Sequence, residues 1–290
     1  MIALRFSLVF ILIYLMIRLS VMIFTFIATR NITIFKGIDF KYDLLLLVSI
    51  FTLSFLMFSL LNLNDNSESF TNALIALLIS LIPLFTIYFL GPFRYLFRSK
   101  NYVLSEDYNS ETKKFFKDPI NVILMNNDDP NAFATGIIPF SKTIILNTGL
   151  YSKLNNEEIV SLLLHEIGHH KKNHMLKLFF VNMVWSSITI TLFNYLISPK
   201  FNQIEFFPAI IALYYGLIVT GGSLLIAGKF QKKFEYEADI FAVTNKNANN
   251  LINALIKLHD TTGISHDQWT LNYPSLNQRI NKIKTYANKC

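Results

Sequence analysis

The sequence predicts an α-helical integral membrane protein, with about five transmembrane helices, that carries an α+β lobe on one side of the bilayer. Three observations predict this. The 290 residues are 52% hydrophobic and only 16% charged, and the mean hydropathy is +0.40, too apolar for an ordinary soluble domain. Five apolar runs, at 6–27, 44–61, 70–90, 178–197 and 206–227, are each long enough to cross a bilayer. Between the third and fourth lies a polar stretch that ends in His165-Glu166-Ile167-Gly168-His169.

The first run resembles a signal peptide, but it is longer than a usual apolar core, and Ile27-Ala28-Thr29-Arg30 is a poor cleavage site. Arg18 interrupts it, either snorkelling or facing a bundle, or touching lipid or substrate. Pro83 predicts a kink in the third run. The loops fix an orientation. Arg30, Lys36 and Lys41 follow the first run; only the acids Asp65 and Glu68 follow the second; Arg94, Arg98 and Lys100 follow the third; Lys229, Lys232 and Lys233 follow the fifth. The positive-inside rule then places the N-terminus outside and both long polar stretches in the cytoplasm. The expected organisation is a three-helix membrane region at 1–91, a first part of the lobe at 92–177, a transmembrane hairpin at 178–227 and a second part of the lobe at 228–290.

The net charge of +7 sits beside apolar runs and without a basic-aromatic motif, so it marks the bilayer surface as the partner and not nucleic acid. The lone cysteine, Cys290, excludes a disulfide or a multi-cysteine metal site within the chain.

Within the first polar stretch, 100–117 reads as a charged helix. Residues 120–125 read as a strand by apolar alternation, Asn126-Asn127-Asp128-Asp129-Pro130 as a turn, and 143–147 as a second strand. Asn131-Ala132-Phe133-Ala134-Thr135-Gly136, between the strands, is by its own chemistry a hairpin or turn. Two strands ahead of a metal-binding helix suit a zincin-like α+β lobe, whose edge strand pairs with an extended peptide.

The helix that leads into the motif is capped by Asn155 or Asn156, with Glu157 and Glu158 suiting its dipole. His165 and His169 are four apart and share a face, so their imidazoles can hold one Zn²⁺. Glu166 projects beside that metal, placed to take a proton from an acidified water. His170 and His174 read as interfacial residues and not ligands; on a continuous helix running into the membrane, His174 faces the opposite side. A third ligand is needed. Glu235 and Asp239 share one helical face just after the fifth run: Glu235 can ligate while Asp239 hydrogen-bonds a ligating imidazole, or both belong to a solvated charged face. His259 and His266 compete for the ligand role. Residues 249–259 read as an amphipathic helix, and a basic helix ends the chain.

These residues resemble the membrane zinc metallopeptidases that include HtpX and the type I CAAX prenyl endopeptidases. The resemblance covers roughly 92–285 and rests on four motifs in order: the His165–His169 run with Lys172 and His174, Asn131-Ala132-Phe133-Ala134-Thr135-Gly136, Glu235-Tyr236-Glu237-Ala238-Asp239, and Pro274-Ser275-Leu276 with Arg279-Ile280. It implies one zinc per chain on His165, His169 and Glu235, Asp239 behind the ligands, and a substrate-binding strand at Asn131, Ala132, Phe133 and Ala134. It implies a peptide or membrane-protein substrate, taken in quality control or CAAX-type processing. The usage of Asn, Ile and Lys fits an AT-rich genome and a bacterial plasma membrane, and so favours quality control. Two departures stand out. Tyr273 occupies the place of the family's histidine before the proline; its hydroxyl can still donate to an oxyanion, and Arg279 is the next candidate for that role. Three apolar runs precede the lobe, where HtpX-like proteins have two. The rival reading is a catalytically weak zinc-binding scaffold. The intact Glu166 argues against it, because a structural site needs no base. A pump or channel lacks charged partners, since Arg18 is the only charge within the runs.

Overall fold

The computed structural model describes residues 88–89, 102–117, 120–193, 196, 214–261, 265–267 and 273–289. The three N-terminal runs, apart from residues 88–89, and with them Arg18 and Pro83, lie outside the described residues. The chain divides into two compact units, Met1–Ile87 with Phe179–Ala227 and Tyr88–Leu178 with Gly228–Cys290.

The second unit is an α+β lobe. Its strands β1 (Tyr102–Leu104), β2 (Asn121–Met125), β3 (Ala132–Thr135) and β4 (Thr143–Asn147) form one sheet in the order β1-β2-β4-β3. β2 and β4 run parallel in the centre, and β1 and β3 pair antiparallel at the edges. The apolar alternation read at 120–125 is a run instead: Val122 and Ile123, like Ile144, Ile145 and Leu146 of β4, are buried on successive residues, as central parallel strands covered on both faces require. The stretch 100–117 is not one helix. Tyr102-Val103-Leu104 pairs with Met125-Leu124-Ile123, and Ser105 then caps α1 (Glu106–Lys113) by accepting from the Tyr108 N–H. Tyr, Val and Leu favour a pleated strand once a partner is present, which outweighs the helix signal of the charged residues after them.

α2 (Asn156–Lys171) lies on the sheet and packs against β3 and against α5 (Ala248–Asp260). Its start is a capping box: Asn155 Oδ1 accepts from Glu158 N at 2.9 Å, and Glu158 Oε2 accepts from Asn155 N at 2.9 Å. Lys257 of α5 donates to the buried Glu158 carboxylate at 2.7 Å, fastening the two helices. α6 (Leu276–Ala287) opens on a second capping box, Ser275 with Gln278, and sends Leu276, Ile280 and Ile283 into the same core as Leu163, Ile167 and Leu251.

α2 does not run on into the next helix. It stops at Lys171, Asn173 takes a positive φ of 53°, and α3 (His174–Leu192) starts anew. Asparagine tolerates that left-handed conformation better than most residues. Lys142 holds it by donating to Asn173 Oδ1 at 3.0 Å.

Among the described residues of the first unit, the part of α3 from Phe179 onward is sorted opposite to a soluble helix. Phe180, Val184, Ile188 and Leu192 are exposed along one stripe, while Asn182, Ser186 and Thr189 are buried. Two of these polar side chains have partners: Ser223 Oγ donates to Asn182 Oδ1 at 2.5 Å, and Thr189 Oγ1 donates to the Trp185 carbonyl at 2.9 Å. Trp185 fits against Gly222, where any Cβ would collide with its ring. α3 is the one helix among the described residues that is long and apolar enough to cross a membrane. The end of the fifth apolar run is a π-helical turn, Tyr215–Gly221, that leads into α4 (Gly222–Asn245).

Candidate metal centre

His165 and His169 project from the last turns of α2, and Glu235 comes from α4. Gly168 lets these helices meet: a Cβ there would stand 3.1 Å from the Ala238 Cα and 3.2 Å from the Phe241 Cβ. The structure brings the predicted trio together. His169 Nε2 is 3.1 Å from His165 Nε2, Glu235 Oε2 is 3.4 Å from His165 Nε2, and Glu235 Oε1 is 3.6 Å from His169 Nε2. Donors about 2.0–2.1 Å from one tetrahedral centre lie about 3.3–3.4 Å apart; each imidazole meets a different Glu235 oxygen at close to that spacing, so the three side chains converge as a zinc site requires. Among the described residues this is the group of three whose donor atoms converge, all within 4.8 Å. His259 stays outside that group; its Nε2 is 3.3 Å from the Ser265 carbonyl, and His266 pairs with Asp260 at 2.7 Å.

The surroundings prepare the donors. Asp239, fully buried, sits 2.9 Å from His165 Nδ1, which leaves Nε2 to face the centre. Arg279 grips Asp239 with two hydrogen bonds, Nε to Oδ2 at 2.9 Å and Nη2 to Oδ1 at 2.6 Å, and its Nη1 is 3.5 Å from Glu235 Oε2. Its guanidinium is thus committed to the acids behind the histidines. Burial opposes charge on His165, but hydrogen bonds to Asp239 and Glu235 outweigh it and raise the imidazole to about 10. Burial, and then the nearby His165, hold His169 down to about 3. Burial resists ionisation of Glu235 too, yet His165 and Arg279 keep its carboxyl at about 2. Asp239 is held ionised in the same way, mainly by Arg279 against its burial.

Glu166 faces the same cavity, which has a volume of about 560 Å³. Burial pushes its carboxyl up to about 7, against the neighbouring His165 and a backbone hydrogen bond from Ala134. That lies in the range of a general base at neutral pH. The Ala134 contact follows from the strand register. Asn147 N donates to the Asn131 carbonyl at 2.9 Å, so Asn131, Phe133 and Thr135 turn their backbone groups toward β4. Those of Ala132 and Ala134 point to the open edge. The sequence reads this stretch as a turn on residue chemistry and as a substrate strand only through the resemblance; it forms an edge strand that borders the cavity.

Tyr273 lines the cavity and is 48% exposed. Burial, and then Glu235 and Glu166, push its phenol up to about 12, so it remains a hydrogen-bond donor.

His170 and His174 are not interfacial. His170 is buried, with Nε2 3.1 Å from the Thr143 carbonyl. His174 is buried with Nδ1 3.0 Å from His169 Nδ1 and Nε2 3.1 Å from Glu237 Oε2. The break at Asn173 is the reason, since it turns His174 back toward the residue it would otherwise face away from. Sequence reasoning missed Glu237 and Lys142 as well; the one available signal was Lys-Lys-Asn at 171–173, a plausible helix stop.

A helix bearing two histidines around a glutamate, a carboxylate from α4 and an edge strand beside them make up a candidate metal centre of the metallopeptidase kind. The comparisons agree: the profile described as peptidase family M48 matches residues 105–287, and the chain belongs to that family. It is 24% identical over 182 residues to a protease HtpX homolog of Neisseria meningitidis, covering 57% of this chain and 65% of the relative. Against protease HtpX of Legionella pneumophila it is 30% identical over 157 residues, 51% of this chain and 54% of that one. The chain therefore spans less than two thirds of the length of these relatives. The crystal structure of S. mikatae Ste24p superposes with a TM-score of 0.60 at 19% identity, over 84% of this chain and 65% of that one, a likeness of fold.

Proposed function

We propose that this protein is a membrane-embedded zinc endopeptidase that cleaves peptides or membrane-protein segments at the cytoplasmic face. The observation that carries the reading is the set of three donor edges, 3.1, 3.4 and 3.6 Å, with Glu166 beside it. His165, His169 and Glu235 hold the metal. Zinc bound there supplies Lewis acidity, polarising a scissile carbonyl and lowering the pKa of a water. Glu166 takes the proton of the attacking water and passes it to the leaving amine. Ala132 and Ala134 offer backbone groups to an extended substrate, with Asn131 and Phe133 shaping the strand. Tyr273 donates to the developing oxyanion. Arg279 acts through Asp239 and Glu235, keeping them ionised and aimed.

The apolar outer stripe and polar inner face of α3 support insertion in a bilayer. The basic loops support a cytoplasmic lobe in a plasma membrane, and membrane-protein quality control is the role favoured over CAAX-type processing. Two experiments test this. The purified chain should cleave an unstructured peptide, lose the activity when a chelator strips the metal, and regain it with zinc; cleavage indifferent to metal removal sinks the reading. In intact cells Cys290 should resist an impermeant thiol reagent, whereas a cysteine placed within 65–69 should react; the reverse pattern inverts the topology.

A further inference from the structure

A ligating imidazole usually donates its second N–H to a partner that fixes its tautomer and orientation. For His165 the partner is Asp239. For His169 the acid at helical spacing, Glu166, faces the cavity as the base, yet the His169 Nδ1 is not left to solvent.

We propose that His174 and Glu237 form an orienting relay for His169 and set how tightly the centre holds its metal. The proposal rests on the zinc reading above. His169 directs Nε2 to the cluster, so Nδ1 is the nitrogen left over, and it lies 3.0 Å from His174 Nδ1. His174 Nε2 lies 3.1 Å from Glu237 Oε2. One set of tautomers satisfies every atom. His169 donates from Nδ1 to the His174 Nδ1 lone pair, and His174 donates from Nε2 to the Glu237 carboxylate. The His174 ring is held flat on Phe234, with centroids 4.3 Å apart and planes 8° from parallel. It is almost fully buried, so it has little freedom to turn away.

The relay depends on the helix break. Five residues of continuous α-helix would carry position 174 about 140° around the axis from position 169. The positive φ of Asn173 cancels that rotation, and Lys142, the residue before β4, clamps Asn173 at 3.0 Å. A basic residue on the sheet and a left-handed asparagine thus serve to place one imidazole behind another. Glu237 has a second partner, Lys233 Nζ at 3.8 Å from Oε1, which does not touch the histidines.

The test is the zinc Kd of the purified full chain by chelator competition, with the visible absorption of the cobalt-loaded protein as a second readout. His174→Phe keeps a flat ring on Phe234 but offers no acceptor. It should weaken zinc binding about 10–100-fold and shift the cobalt bands. Glu237→Leu should weaken it about tenfold, while Glu237→Gln, which retains an acceptor oxygen, and Lys233→Ala stay within about threefold of the parent. If His174→Phe does not fold, Glu237→Leu, at a partly exposed position, decides alone. Kd values within about threefold of the parent for the two disruptive variants, with unchanged cobalt bands, overturn the relay. Tight zinc binding by Glu235→Ala would instead overturn the metal centre beneath it, a separate outcome.

Discussion

The two histidines of α2 are chemically alike, yet they are supported in opposite styles. Behind His165 stand a fully buried carboxylate and a guanidinium bound to it twice. Behind His169 stand a histidine and then Glu237, whose side chain is 30% exposed. The first support is charged, dry and drawn from two helices far apart in sequence; the second ends at water. A dry charged pair costs a great deal to break on one side only, whereas a support that reaches solvent can be altered with little effect on folding. In the proposed centre the His165 side would serve as the structural anchor, and the His169 side would be where metal affinity is adjusted.

The sharpest way to break that contrast is Asp239→Ala, which strands the buried Arg279 cation. It should cost about 3–5 kcal/mol of stability, read as a large drop in melting temperature, and Asp239→Leu combined with Arg279→Met should recover most of it. Gly168→Val tests the contact that lets both supports reach the zinc helix. A branched side chain against Ala238 and Phe241 should cost about 1–3 kcal/mol and lower zinc content by forcing α2 and α4 apart. Glu237→Ala, on the adjustable side, should lower stability by less than about 1 kcal/mol. A melting temperature as depressed as that of Asp239→Ala would erase the distinction between the two supports.

Much of this lobe was legible in the sequence because it rests on local rules. The cap at Asn155, one of the two asparagines the sequence offers, the apolar residues of β2, and β4 at Thr143–Asn147 are announced by residues within a few positions. The sites that were not legible depend on remote partners. β1 exists because Tyr102–Leu104 finds Ile123–Met125, a pairing that its own three residues do not announce. The fate of His174 turns on one backbone angle at Asn173, secured by a lysine 31 residues earlier. Periodicity counted through that break puts His174 on the wrong side. The Pro274–Ile280 stretch carries little chemistry when read alone. In three dimensions Ser275 starts α6, Leu276 and Ile280 anchor it, and Arg279 is left to grip Asp239.

In the proposed function the His165, His169 and Glu235 centre serves hydrolysis, with Glu166 as its base. Glu166→Gln tests it most directly, because the amide keeps the size of the side chain and removes only its capacity to accept a proton. Zinc content and cleavage of an unstructured, membrane-anchored peptide should be measured side by side on the parent and the variant. The account predicts equal zinc in both proteins and a rate at least about 10²-fold lower in Glu166→Gln. Equal cleavage by the two, or a parent that carries full zinc and cleaves nothing, would contradict it.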